Sequence, residues 1–391
     1  MNPPFIAPVL APLFVAALLL LPPHAPAAPR LPASGADVVA VLPERDPALR
    51  ALRAAVAAAP RAPAPALALA RRYVMLGRTS ADPRYYGQAQ AVLAPWWNRA
   101  DAPDGVRLLR ATLLQNGHRF AEAQAELRRL TAHDPRNGQA WLTLATVQAV
   151  QGDADGALAS CARLSTLASQ IEAFACLASA SVNTGRMRGA ERLLALGVDR
   201  TPDAAAESRA WALTLLGELA ARRGDGALAQ RRFGAALALA PRDSYLLGAY
   251  ADFLLDAGRA GEVPALLREH HRADGLLLRH ALALQALGYT AALAPVRAEL
   301  QARFDAAALR GDQVHLREQA RFTLSVLGDA RTALALAQRN WQVQKELADT
   351  RLLLEAGIAA RDRAALRPVL AWIRAQGLED VAVTRLLARL S

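Results

Sequence analysis

The segment WALTLLGELAARRGDGALAQRRFGAALALAP, residues 211–241, decides how this chain folds. Trp211, Gly217, Gly224, Asp225, Ala229, Phe233, Ala236 and Pro241 fall at the spacing of one helix-turn-helix unit of about 34 residues. Such a unit leaves an apolar face that only a neighbouring unit can cover, so finding one predicts a stack. A stack in turn predicts a long concave surface suited to holding something else.

Outward from this segment, one glycine marks the end of the first helix of each pair. Gly117, Gly152, Gly185, Gly224, Gly258, Gly288 and Gly328 recur at intervals of 35, 33, 39, 34, 30 and 40 residues. Glycine suits the left-handed backbone just past a helix end, and the Asp that follows at 153, 225 and 329 suits the start of the next helix. Small residues then stand where the two helices of a pair cross: Ala157, Ala190, Ala229 and Ala333. No alternating strand pattern of useful length is present, so the fold class is all-α.

These residues resemble the tetratricopeptide repeat superfamily. Trp141, Gly152 and Ala157 carry the likeness in one unit, Phe174, Gly185, Ala190 and Pro202 in the next, and residues 211–241 nearly throughout. The match is best over 138–241. Earlier and later pairs are degenerate: Gly117 to Pro135 carries one extra residue, and from Asp349 to Ile373 only helical periodicity survives. The resemblance implies a right-handed α-solenoid of antiparallel helix pairs across 66–391, whose concave groove is lined by first helices.

Residues 1–27 have the pattern of an export signal. Phe5 to Leu21 is apolar, Pro22 and Pro23 break it, and Ala25-Pro26-Ala27 offers small residues for cleavage after Ala27, with an uncleaved N-terminal anchor as the alternative. The n-region Met1-Asn2-Pro3-Pro4 lacks a basic side chain. A leader rich in Pro and Ala fills 28–65, with one short helix expected over Asp46 to Ala59 and Pro60, Pro63 and Pro65 closing it. Together with the repeats, this points to an exported bacterial protein of the periplasm or the outside medium.

Export bears on Cys161 and Cys176, the two cysteines of the chain. They are expected near the end of one helix and early in the next, so an oxidising compartment would permit a bridge. Two small buried apolar side chains are the commoner fate of such residues.

Net charge is +11, almost all of it arginine, with Lys345 the single lysine. No long basic run forms, which favours a solvated surface over a nucleic-acid site. Arg128, Arg129, Arg192, Arg231 and Arg232 fall on second helices, where an outer face could meet anionic glycan or lipid.

No catalytic set is legible: there is no phosphate loop, zinc motif, nucleophile elbow or paired-cysteine site. Adjacent His270 and His271, with His280 nearby, point about 100° apart on a helix and make no metal site. The expectation is therefore a non-enzyme with no cofactor, metal, nucleic acid or small-molecule substrate.

Aligning first helices on their glycines selects groove candidates that suit an extended peptide or a helix of a protein partner. These are Arg107, Thr112 and Asn116; Glu172, Ser179 and Asn183; Trp211, Thr214, Glu218 and Arg222; Tyr245 and Asp252; and His315, Glu318 and Phe322. Trp96 and Trp97, two adjacent indoles, are candidates for exposed aromatics that stack on a sugar or a partner. The Lys, Asn and Arg clamp by which some family members hold C-terminal carboxylates is absent, since Thr143 and Thr146 stand in its place.

Overall fold

The computed structural model describes residue 34 and residues 46–390, apart from positions 81 and 313. The signal-like segment and its cleavage site lie outside the described residues. Contacts divide the chain into 1–47 and 48–391, and everything below concerns the second unit.

That unit is helical, with no strand among the described residues. It begins with α1 (Pro47–Ala58), α2 (Pro63–Ser80), α3 (Arg84–Val92) and the single turn α4 (Ala94–Trp97). Helix pairs follow: α5 (Asp104–Asn116) with α6 (Phe120–His133), α7 (Gly138–Val150) with α8 (Ala154–Leu164), and α9 (Gln170–Ser181) with α10 (Met187–Arg200). Next come α11 (Ala206–Arg222) with α12 (Gly226–Leu239), and α13 (Ser244–Asp256) with the short α14 (Val263–Leu266). Two further pairs are α15 (Asp274–Ala286) with α16 (Thr290–Leu309) and α17 (Leu316–Ser325) with α18 (Ala330–Val343). Then come α19 (Leu347–Ala359), α20 (Arg367–Gln376) and α21 (Val381–Ala388). Most helices pack on a sequence neighbour, and first helices also touch the first helix of the next pair, as α7, α9, α11 and α13 do in turn.

Pairing rests on the features read from residues 211–241. Gly224 is left-handed (φ +81°), and Asp225 caps α12 by accepting from Leu228 N–H. Ala229 and Phe233 are fully buried, and a Cβ on Gly217 would lie 2.9 Å from the Phe233 ring, so glycine lets α11 and α12 approach. The same caps recur at Asp153 and Asp329. Left-handed glycines recur at Gly152, Gly258, Gly288 and Gly328.

Two members of the glycine series behave differently. At the end of α5 the extra residue shifts the left-handed position from Gly117 to His118 (φ +55°). Gly185 is not left-handed either; its N–H donates to Gln376 O at 3.2 Å, and Gly377 lies against it. It is small because the C-terminal part of the chain approaches there.

α1 places Leu49, Leu52 and Val56 on one face, and they join the core of α2–α5. Pro63 opens α2, where its missing N–H costs nothing.

Cys161 and Cys176 are joined, with Cα atoms 5.6 Å apart, and tie α8 to α9. Of the two fates open to them in the sequence, the structure takes the bridge. The bond closes a loop of sequence separation 15, so replacing both cysteines by alanine should lower stability by about 3 kcal/mol, read by denaturant unfolding. An unchanged midpoint would show that the bond adds nothing.

Candidate functional site

First helices stand side by side, so residues a turn or two from each helix end face a common interior. The result is a chamber of about 900 Å³ walled on one side by α7, α9, α11, α13 and α15. α19, α20 and α21 and the turn before α17 wall the other side. The described chain is an all-α solenoid of stacked helix pairs.

No family model matches this sequence, and no curated protein matches it. Among solved structures it is similar to PilW, a type IV pilus biogenesis factor, at 20% identity over 52% of this chain and 94% of that one, TM-score 0.41. A tetratricopeptide repeat protein from Parabacteroides merdae aligns at 13% identity over 73% of this chain and 99% of that one, TM-score 0.38. The P58(IPK) tetratricopeptide domain aligns at 15% identity over 82% and 96%, TM-score 0.24.

Tyr245, on the first turn of α13, is 59% exposed, an unusual state for a large side chain on a first helix. Its hydroxyl donates to Glu218 of α11, with Oε1 at 2.9 Å and Oε2 at 3.1 Å. Ser179, His315 and Glu318 line the same chamber. Asp252 lies deeper, bound by Arg279 and by Arg321 Nη1 at 2.7 Å, so one carboxylate ties α13 to α15 and α17. Burial acts to raise this acid, and the two guanidiniums overcome it and hold it well below the usual carboxylate range.

Glu218 shows the opposite balance. Enclosure in the chamber wall pushes its carboxyl from the ordinary 4.5 up to about 7, against the pull of the Tyr245 hydrogen bond and the Arg222 charge. Between those values the folded chain holds this proton more tightly than the unfolded chain. The contribution is complete below pH 4.5 and is lost as pH rises through 7. The stability of wild type relative to Glu218→Gln should therefore fall across that interval; a difference independent of pH would contradict the assignment.

Asn183 and Arg222 also line the chamber, but they are buried and engaged. Asn183 Nδ2 donates to Lys345 O at 3.3 Å, and Arg222 Nη2 donates to Asn183 Oδ1 at 3.4 Å. Sequence reasoning missed what they hold, because Lys345, which Asn183 binds, comes from the distant segment between α18 and α19.

The remaining candidates lie elsewhere. Phe322 is 1% exposed and packs on Phe304 in the core of α15–α17, which removes it from any groove. Thr214 is buried and bonds to Ala210 O in its own helix. Trp211 is half-buried against the core of α9–α15. Glu172 serves as the capping-box acid of α9 and also accepts from Ser208. Thr112 and Asn116 bond along α5, while Arg107 bonds to Ala102 O. Trp96 is buried and Trp97 half-buried in the N-terminal core, so neither ring stands free of the fold as the adjacent pair suggests. α4 is a single turn that folds both rings inward, with Arg110 Nη1 fastening Trp97 O at 2.6 Å.

Proposed function

We propose that this protein is a non-catalytic scaffold of the cell envelope that holds a protein partner against the concave face of its first helices. The exposed Tyr245, facing the chamber beside Glu218, carries the reading. An aromatic ring and a carboxylate offered together on a rigid wall suit a peptide or helix that brings an apolar group and a donor. The signal-like start and the Cys161–Cys176 bridge support an oxidising compartment outside the cytoplasm. No described helix is long and apolar enough to cross a membrane.

Affinity capture with the mature chain and with a Glu218→Ala, Tyr245→Ala variant tests this. Partners retained by wild type should be lost from the variant; the same partners on both would move the site elsewhere.

A second reading is favoured by one observation: Arg128, Arg129, Arg192 and Arg231 are exposed on second helices. They suit an anionic envelope polymer such as polysaccharide or lipopolysaccharide. Binding of that kind weakens steeply with salt, so retention that persists in high salt would dismiss it.

A further inference from the structure

The C-terminal helices have a core of their own. α17–α21 bury Leu353, Leu366, Val369, Ile373 and Val383 against one another, apart from the cluster that holds α9–α15 together. What fastens this bundle across the ends of α7, α9, α11 and α13 is largely polar. Lys345 N–H donates to Val150 O at 2.7 Å, and Gly185 N–H donates to Gln376 O at 3.2 Å. Arg351 grips Asp256 through two bonds of 2.7 and 2.8 Å. Arg222 meets Asp380 only at 3.9 Å, and its buried Nε finds no hydrogen-bond partner among the described residues. α17 also shares the core of α15–α17 through Phe322, so the bundle stays tethered there, while contacts as polar as those across the ends of α7–α13 separate more readily than a core unfolds.

The form of the fastening segment matters as much. Gln344 (φ −139°, ψ 147°) and Glu346 (φ −73°, ψ 167°) are extended, and Lys345 between them is held through both its N–H and its carbonyl. A length of the chain's own backbone thus lies across the groove mouth as a bound peptide would. Lys345 Nζ also reaches toward Gln151 O, 3.5 Å away at the end of α7, where the helix dipole favours a cation.

We propose that the C-terminal bundle is a clasp, an internal occupant of the groove mouth that is released when an extended basic segment of a partner takes the place of residues 344–346. Release leaves the carbonyls of Val150 and Gln151 and the Asp256 carboxylate as open acceptors, which sets the basic character of the incoming segment. This rests on the groove reading above for its biological consequence, while the opening itself needs no partner to be measured.

Asp256→Ala and Arg351→Ala break one ion pair from opposite sides. By hydrogen exchange on the full chain, both variants should speed exchange of the Gly185 and Lys345 amides by about two- to fivefold, leaving Leu216 in α11 and Leu354 in α19 unchanged. A synthetic peptide of residues 341–349 carrying Glu346→Gln and Asp349→Asn, and so net basic, should bind Arg351→Ala, which keeps the Asp256 acceptor, more tightly than wild type by the same factor, because apparent affinity scales with the open fraction. Its Lys345→Glu form should not bind. Unchanged exchange at Gly185 and Lys345, equal acceleration at Leu216 and Leu354, or a peptide indifferent to variant or charge would each overturn the clasp. A missing partner would leave both measurements intact.

Discussion

Phe233→Ala lowers the unfolding free energy by about 3–5 kcal/mol, the largest single loss expected from the repeat core. The ring is fully buried and stands where three first-and-second-helix surfaces meet. It packs under Gly217 of α11, stacks 5.3 Å from Tyr250, and lies 5.6 Å from Phe253 of the next pair. Alanine leaves a cavity that α11 and α13 cannot both move in to fill, because each is also packed on other neighbours. In a stack whose units support one another only through their interfaces, the damage spreads to α9 and α13 and the transition broadens. Leu239→Ala on the same helix, at a side chain 39% exposed, should shift stability by less than about 0.5 kcal/mol. Equal effects from the two substitutions would mean that the aromatic junction is not the keystone of these pairs.

Asp349→Ala has a comparable effect for an electrostatic reason. This carboxylate is 1% exposed and accepts from Asn340 Nδ2 at 2.7 Å, Gln344 Nε2 at 3.2 Å and Glu346 N–H at 2.8 Å. Arg317 Nη1 lies 3.5 Å away. Truncation strands those donors in a dry interior and removes the capping box of α19, a loss of about 3–5 kcal/mol. Limited proteolysis should place the first cuts around residues 340–350, while α5–α12 stay resistant. Asp349→Asn keeps one acceptor oxygen and should lose less. Uniform proteolysis along the chain would show that the C-terminal bundle does not fold on its own core.

Much of the fold was legible because it is local. A left-handed glycine, the Asp that directly follows it and a small residue at the crossing all lie within one unit, and Gly152, Gly224 and Gly328 behave as that pattern predicts. The site was legible only in part. Glu218, Tyr245, Asp252, Ser179, His315 and Glu318 do line one chamber, since helix phase alone places them. Phe322 was misplaced because α17 ends at Ser325, three residues before Gly328, whereas α11 and α13 end two residues before their glycines, so a register counted back from the glycine is off by one residue there. The approach of the C-terminal helices left almost no trace in the sequence. Its bonds join residues 162 and 194 positions apart through main-chain carbonyls, which every residue has. Gly185 was the one visible sign, a glycine in the right series used for close approach in place of a left-handed turn.

Site-specific photocrosslinking in the cell tests the concave face most directly. A photoreactive residue at Tyr245, which faces the chamber, should capture a protein partner, and the same residue at Leu239 on the outer side should not. Capture confined to Leu239 would contradict the groove as the binding surface.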